Sequence, residues 1–176
     1  MREVAIIGIG QTAIGELWSK SLRELAGEAL SDAMRDSGID QTPDALYIGN
    51  MMASRLSNQA HLGALVADYM RWQDIEATTV EAACASGGAA FQAGVRAVKS
   101  GDADVVAVCG VEKMTDATTA QIISGLATAA DAEFEGIQGA TFVGLNAMVM
   151  RRYMHEYGYS HEHFAPFAVT AHSNAL

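Results

Sequence analysis

Four short apolar runs set the strongest constraint on the fold: EVAIIGIG at 3–10, ALYIGNMM at 45–52, ATTVEAA at 77–83 and DVVAVCGV at 104–111. Each is rich in β-branched or small apolar residues and reads as a strand buried on both faces. Between them the rhythm changes to a helical one. Leu22, Leu25, Ala29, Leu30, Ala33 and Met34 recur at helix spacing from Ser21 to Ser37, with Gly38 placed as a C-cap. Leu62, Leu65, Val66, Tyr69 and Met70 form a second helical face, for which Ser57 or Asn58 is the expected N-cap. A third helix of small residues is expected over 86–99. Alternating strands and helices of this kind predict an α/β fold: a mainly parallel sheet with helices on both faces.

After Met114 the pattern gives way to Thr, Ala and Gly, and residues 115–140 read as an inserted loop region. A helix is expected from Phe142 to Glu156, closed by Gly158, and Ser160 is placed to cap a short helix that Pro166 must kink or restart. The expected division is a core domain over 1–114 and part of a further domain over 115–176. The final AHSNAL has no glycine or proline to close a helix, an ending expected of a piece of a larger design.

Charge and composition exclude several functions. A formal net charge of −10, with no Lys/Arg cluster, leaves no basic face for nucleic acid. The amino terminus offers one basic residue and an apolar run soon broken by Gly8, which fits neither a secretion signal nor a membrane span. Cys84 and Cys109 are the two cysteines, so a disulfide framework is not expected and a reducing cytoplasm is the expected compartment.

Three motifs invite chemistry. GIGQTA at 8–13 satisfies G-x-G-x-x-A after a strand, but the helical pattern begins only near Leu22, so no helix N-terminus opens at those glycines to hold a pyrophosphate. Cys109 lies within a strand run, where a free cysteine behaves as a small buried hydrophobe. No C-x-x-C and no suitably spaced His accompanies either cysteine, so no metal site is expected. Cys84 differs, because VEAACASGGAA places it at the turn from a strand into a helix beginning at Ser86 or Gly87. Exposed N–H groups and the helix dipole stabilise a thiolate there, and the same N–H groups can donate to a tetrahedral oxyanion. A buried thiol in a tightly packed helix explains the same small residues, so spacing leaves nucleophile and core filler both open.

The segment TTVEAACASGGAAFQAGVRAVKSGDADVVAVCGVEKMTD closely resembles the nucleophile region of thiolases, in which a reactive cysteine precedes Ser-Gly and a Gly-x-Glu-x-Met sequence ends the next strand. Here those residues are Cys84, Ser86, Gly87 and the GVEKM of 110–114. IIGIGQTAIGELWSKSLRELAGEAL, YIGNMMASRLSNQAHLGALVADYM and TFVGLNAMVMRRYMHEYG extend the likeness to the amino-terminal half of the family, its archaeal and sterol-carrier-type branch in particular, and into its loop domain. The resemblance implies that Cys84 is acylated by an acyl-CoA and that its backbone N–H contributes to an oxyanion hole. Claisen condensation with acetyl-CoA, or thiolytic cleavage in reverse, would follow. Coenzyme A thioesters are then substrates, and no permanently bound cofactor is implied. The family also implies a homodimer or tetramer.

The departures from the family pattern carry equal weight. Its Gly-His-Pro, its Asn- or His-containing E-A-F motif and its C-x-G motif belong to the carboxy-terminal half, and none occurs here. His61, His155, His161, His163 and His172 have no spacing that brings one to Cys84. The chain is therefore expected to be incomplete and inactive in turnover alone, with a second chain as one source of the missing half. Arg151 and Arg152, the adjacent basic pair, are candidates for contacting coenzyme A phosphate, although a solvated helix face is the more common reason for such a pair. Two other readings stand beside thiolase: a hydroxymethylglutaryl-CoA synthase or ketoacyl synthase of the same superfamily, and a noncatalytic scaffolding subunit of an acyl-CoA complex.

Overall fold

The computed structural model describes residues 2–175 and divides into two compact units, the first ending at Gly125 and the second beginning at Leu126. In the first, helix α1 (Leu22–Ser37) precedes strand β1 (Ala45–Gly49). The short α2 (Ala53–Leu56) and α3 (Leu62–Tyr69) lead to β2 (Glu76–Val80), followed by α4 (Ser86–Ser100), β3 (Val106–Gly110) and α5 (Thr119–Leu126). The three strands form a parallel sheet in the order β2-β1-β3. Its register pairs Gly49 with both Val80 and Gly110, so all three strands end at one edge of the sheet.

Strand alternation builds two apolar layers from β1. Leu46 and Ile48 join Leu22, Ala26, Leu30, Leu62, Val66 and Cys109, which places α1 and α3 over one face. Ala45 and Tyr47 join Ala90 and Ala97 of α4 over the other, with Val106 and Val108 packed alongside. Leu46, Ile48, Leu62 and Val66 are fully buried, each side chain contributing about 1.5–3 kcal/mol through removal from water. The expected α/β architecture with helices on both faces is present.

Helix α1 follows its sequence signals closely. Ser21 and Glu24 close a capping box at its start, and Gly38 adopts a left-handed conformation at its end. Helix α3 does not, because its N-cap is His61 at φ 59° with no side-chain cap, rather than Ser57 or Asn58. Residues 50–52, expected to extend the strand at 45–52, turn away after Gly49.

The expected strand at 3–10 is absent. Ile6, Ile7 and Ile9 are 70%, 53% and 74% exposed. The reason lies in Gly8 and Gly10, where a Cβ would collide with the carbonyls of Ala33 and Ala29, so the segment is seated on the backbone of α1. A cavity of about 670 Å³, lined by Ile7 and Ile9 and by Val106 and Val108 of β3, leaves the segment without a ladder partner. The same contact explains the GIG pattern: its glycines meet the middle of a helix, not a phosphate at a helix N-terminus.

The region 115–140, read from sequence as a loop, contains α5 and two 3₁₀ turns, at Ala127–Ala129 and Gly136–Gln138. In the second unit α6 (Phe142–Tyr157) starts at Thr141, whose side chain accepts from the Gly144 N–H, and ends at left-handed Gly158. A 3₁₀ turn at His161–Phe164, capped by Ser160, restarts as α7 (Ala165–Asn174) with proline in its first turn.

Candidate active site

The aligned strand ends bring three loops to one edge of the sheet, the position at which open parallel sheets bind ligands. From β2 the chain runs through Glu81, Ala82 and Ala83 to Cys84, then enters α4 at Ser86. Ala83 adopts φ 48°, a left-handed conformation costing a residue with a Cβ about 1 kcal/mol or more. Ser86 over-determines that turn. Its buried hydroxyl donates to the Ala83 carbonyl at 2.6 Å and accepts from the Ala82 N–H at 2.9 Å. A carboxylate oxygen of Glu81 accepts from the Ala83 N–H on the other side.

Cys84 emerges from this turn exposed to solvent. Helix α4 has no side-chain cap, and its first internal bond runs from the Ala89 N–H to the Ala85 carbonyl. Among the described residues, nothing accepts from the N–H groups of Gly87 or Gly88. An exposed thiol therefore stands beside uncapped helix N–H donors, an arrangement able to stabilise a thiolate and the oxyanion formed when it attacks a carbonyl.

Cys109 occupies the opposite environment. It is 7% exposed on the α1/α3 side of the sheet, and burial pushes its thiol up to about 11. It is a packing residue, as the strand pattern predicts.

The loops after β1 and β3 are tied to each other. Asn50, 6% exposed, donates through Nδ2 to the Val111 carbonyl at 2.8 Å and to Oε1 of Glu112 at 3.0 Å. Its Oδ1 accepts from the Ala53 N–H at 2.9 Å. Oε2 of Glu112 accepts from the N–H groups of Met51 at 3.1 Å and Met52 at 3.0 Å. Buried Lys113 pairs with Asp116 just beyond. Sequence reading missed Asn50 altogether and met Glu112 only as a letter of GVEKM. The available signal was one polar residue immediately after an apolar parallel strand, where side chains face a ligand or a neighbouring loop.

A family model described as "Thiolase, N-terminal domain" matches residues 4–176. The chain belongs to the thiolase family. It is 47% identical over 176 residues to an acetyl-CoA acetyltransferase of Methanothermobacter thermautotrophicus, covering 99% of this chain and 45% of that protein. An acetyl-CoA acetyltransferase of Methanocaldococcus jannaschii is also 47% identical, with 99% of this chain and 44% of that protein covered. A benzoylsuccinyl-CoA thiolase subunit of Thauera aromatica is 31% identical over 96% of this chain and 42% of its own length. The chain thus spans less than half the length of these thiolase relatives. Among solved structures, an acetyl-CoA acetyltransferase from Syntrophomonas wolfei matches with TM-score 0.50 at 21% identity, covering 58% of this chain and 27% of that one. A 3-oxoacyl-[acyl-carrier-protein] synthase III from Aquifex aeolicus matches with TM-score 0.50 at 22% identity, covering 56% and 32%. At those identities the likeness is one of fold.

The remaining residues singled out in the thiolase sequence fall as follows. His61 is exposed at the start of α3. Arg151 and Arg152 lie exposed on α6 in the second unit, and Arg152 pairs with Glu156 one turn on at 2.5 Å. His155, His161, His163 and His172 belong to that unit as well, and Nδ1 of His163 accepts from the Ser160 N–H at 3.0 Å. Among the described residues no helix is long and apolar enough to cross a membrane.

Proposed function

We propose that this chain is the nucleophile-bearing half of a thiolase-type acyltransferase acting on coenzyme A thioesters, with Cys84 as its catalytic residue. One observation carries the reading: an exposed cysteine on a strained turn, at the ligand-binding edge of the sheet, beside the uncapped N–H groups of Gly87 and Gly88. The Cys84 thiolate attacks the thioester carbonyl carbon, and the tetrahedral oxyanion is held by N–H donors of this turn, that of Cys84 included. Collapse expels the coenzyme A thiolate, which takes up a proton, and leaves an acyl group on Cys84. The second half-reaction needs a base to generate the carbanion of acetyl-CoA for condensation. Nothing in this chain is assigned that task, so turnover belongs to the chain together with a portion like the one its relatives carry in addition.

The same reading assigns Arg151 and Arg152 to coenzyme A phosphate, and residues 1–114 and 115–176 to a core domain and part of a loop domain. It places the assembly in the reducing cytoplasm, as a homodimer or tetramer, with a second polypeptide as one source of the completing half. Acetoacetyl-CoA thiolysis by the complete assembly, with and without Cys84→Ala, tests the function. The account expects turnover to disappear. Undiminished turnover would reveal a scaffolding subunit whose partner does the chemistry.

A further inference from the structure

We infer that Asn50 and Glu112 act as positioning residues for Cys84, an inference that rests on the reading of Cys84 as the nucleophile. Two routes connect this pair to the nucleophile turn. The Asn50 backbone N–H donates to the carbonyl of Val80 at 3.1 Å, the last anchor on β2 before the chain leaves for Cys84. Next to it, Gly49 is wedged against the start of α4, where an added Cβ would stand 2.5 Å from the Ser86 carbonyl oxygen and 2.7 Å from the Gly87 Cα. The end of β1 therefore braces both sides of the turn: the strand that enters it and the helix that leaves it.

Asn50 and Glu112 immobilise that brace. The Asn50 amide uses both its N–H bonds and its oxygen, on Val111, Glu112 and Ala53. The Glu112 carboxylate receives three donors, from Asn50, Met51 and Met52. The Val111 N–H closes the loop onto the Gly49 carbonyl at 3.1 Å. A buried amide and a carboxylate satisfied in this way admit one arrangement of donors and acceptors, so the loops after β1 and β3 have one relative position. Acyl transfer depends on that position, because misplacement of a nucleophile relative to its oxyanion donors by about 1 Å costs on the order of a hundredfold in rate.

The test compares two reactions of Cys84 in the intact chain. Acetylation by acetyl-CoA requires N–H donors placed for an oxyanion, whereas alkylation by iodoacetamide forms no oxyanion and requires only an accessible thiolate. N50D sets a second carboxylate against Glu112 and against the Val111 carbonyl. It should lower the acetylation rate by more than tenfold while alkylation of Cys84 stays within twofold. N50D/E112Q restores one carboxylate and one amide with the donor direction reversed and keeps the acceptors for Ala53, Met51 and Met52; it should recover part of the lost rate, because the Val111 carbonyl still faces a carboxylate in place of its donor. Buried Cys109 reports the state of the fold, since its alkylation would show that a variant has opened. The milder E112Q then takes the place of N50D and should show the same separation of the two rates.

Acetylation of wild-type Cys84 with no loss in these variants would overturn the positioning role and leave the nucleophile intact. Loss of acetylation accompanied by alkylation of Cys109 in every variant, E112Q included, would reduce the pair to general support of the fold and also overturn it. Failure of the wild-type chain to be acetylated would remove the nucleophile reading, and the inference with it.

Discussion

Two cysteines, Cys84 and Cys109, share one sheet and meet opposite physics. Cys84 stands beyond the carboxyl end of β2, where the chain turns through a left-handed alanine and, among the described residues, the N–H groups of Gly87 and Gly88 find no carbonyl. Cys109 sits inside β3, one residue from the same edge, with Leu and Val side chains of α1 and α3 in its apolar cluster. On the proposed reading, reactivity is a property of position along a strand. Within the ladder the backbone satisfies itself and the thiol is a packing atom; one turn past the end, unsatisfied backbone becomes available to a substrate.

Four substitutions and one pH titration would break or sharpen that contrast. The largest effect is expected from Cys84→Ala, which should lower acetyl incorporation from acetyl-CoA by more than about a thousandfold, in keeping with loss of a covalent nucleophile. Cys109→Ala should leave the incorporation rate within about twofold, because a packing residue has no part in bond making. Both are read by intact mass over time.

Next comes Gly49→Ala. Its new methyl would stand 2.5 Å from the Ser86 carbonyl oxygen and 2.6 Å from its carbon, both backbone atoms. Overpacking of this kind costs about 3 kcal/mol. Urea denaturation should show that loss together with slower Cys84 acetylation, and unchanged values for both would mean that β1 does not brace α4.

A pH effect of nearly the same size belongs to Cys109. Burial raises its thiol from 9.0 to about 11, so the folded state holds the proton that the unfolded state releases first. The associated stability is fully present below pH 9 and is lost as the pH rises through about 11. At 1.36 kcal/mol per unit the loss is about 2–3 kcal/mol. Cys109→Ala should flatten the alkaline limb of the stability profile.

The smallest effect is expected of Ser86→Ala. It leaves the Ala82 N–H without its acceptor and removes one of the two donors to the Ala83 carbonyl, at a cost of about 1 kcal/mol. Because the left-handed turn loosens, acetylation of Cys84 should slow by more than that stability change would suggest. Parallel measurement of the urea midpoint and the acetylation rate separates the two effects.

Much of the architecture was legible because local signals and tertiary packing agree. Ser21, the apolar spacing of Leu22 to Leu30 and Gly38 delimit α1, and Thr141 and Gly158 bound α6. Cys84 could be placed at a strand-to-helix turn from spacing, and the resemblance to thiolases supplied its proposed role. The segment at 3–10 was misread because an apolar run reports a tendency to be buried and says nothing of a ladder partner. Its glycines answer to a helix distant in sequence. The His61 cap escaped because Ser57 and Asn58 carry the stronger N-cap preference, and a left-handed histidine without a side-chain cap competes only through tertiary packing. Asn50 and Glu112 stayed hidden because their importance is relational: each is one polar residue after a strand until the sheet register brings them together.

The most direct measurement is residue-resolved mass mapping of the chain after incubation with acetyl-CoA, with Cys109 as the internal control. The account predicts acetyl on Cys84 and none on Cys109. An unmodified Cys84, or equal labelling of the two, would contradict the claim that the turn at the start of α4 makes this cysteine a nucleophile.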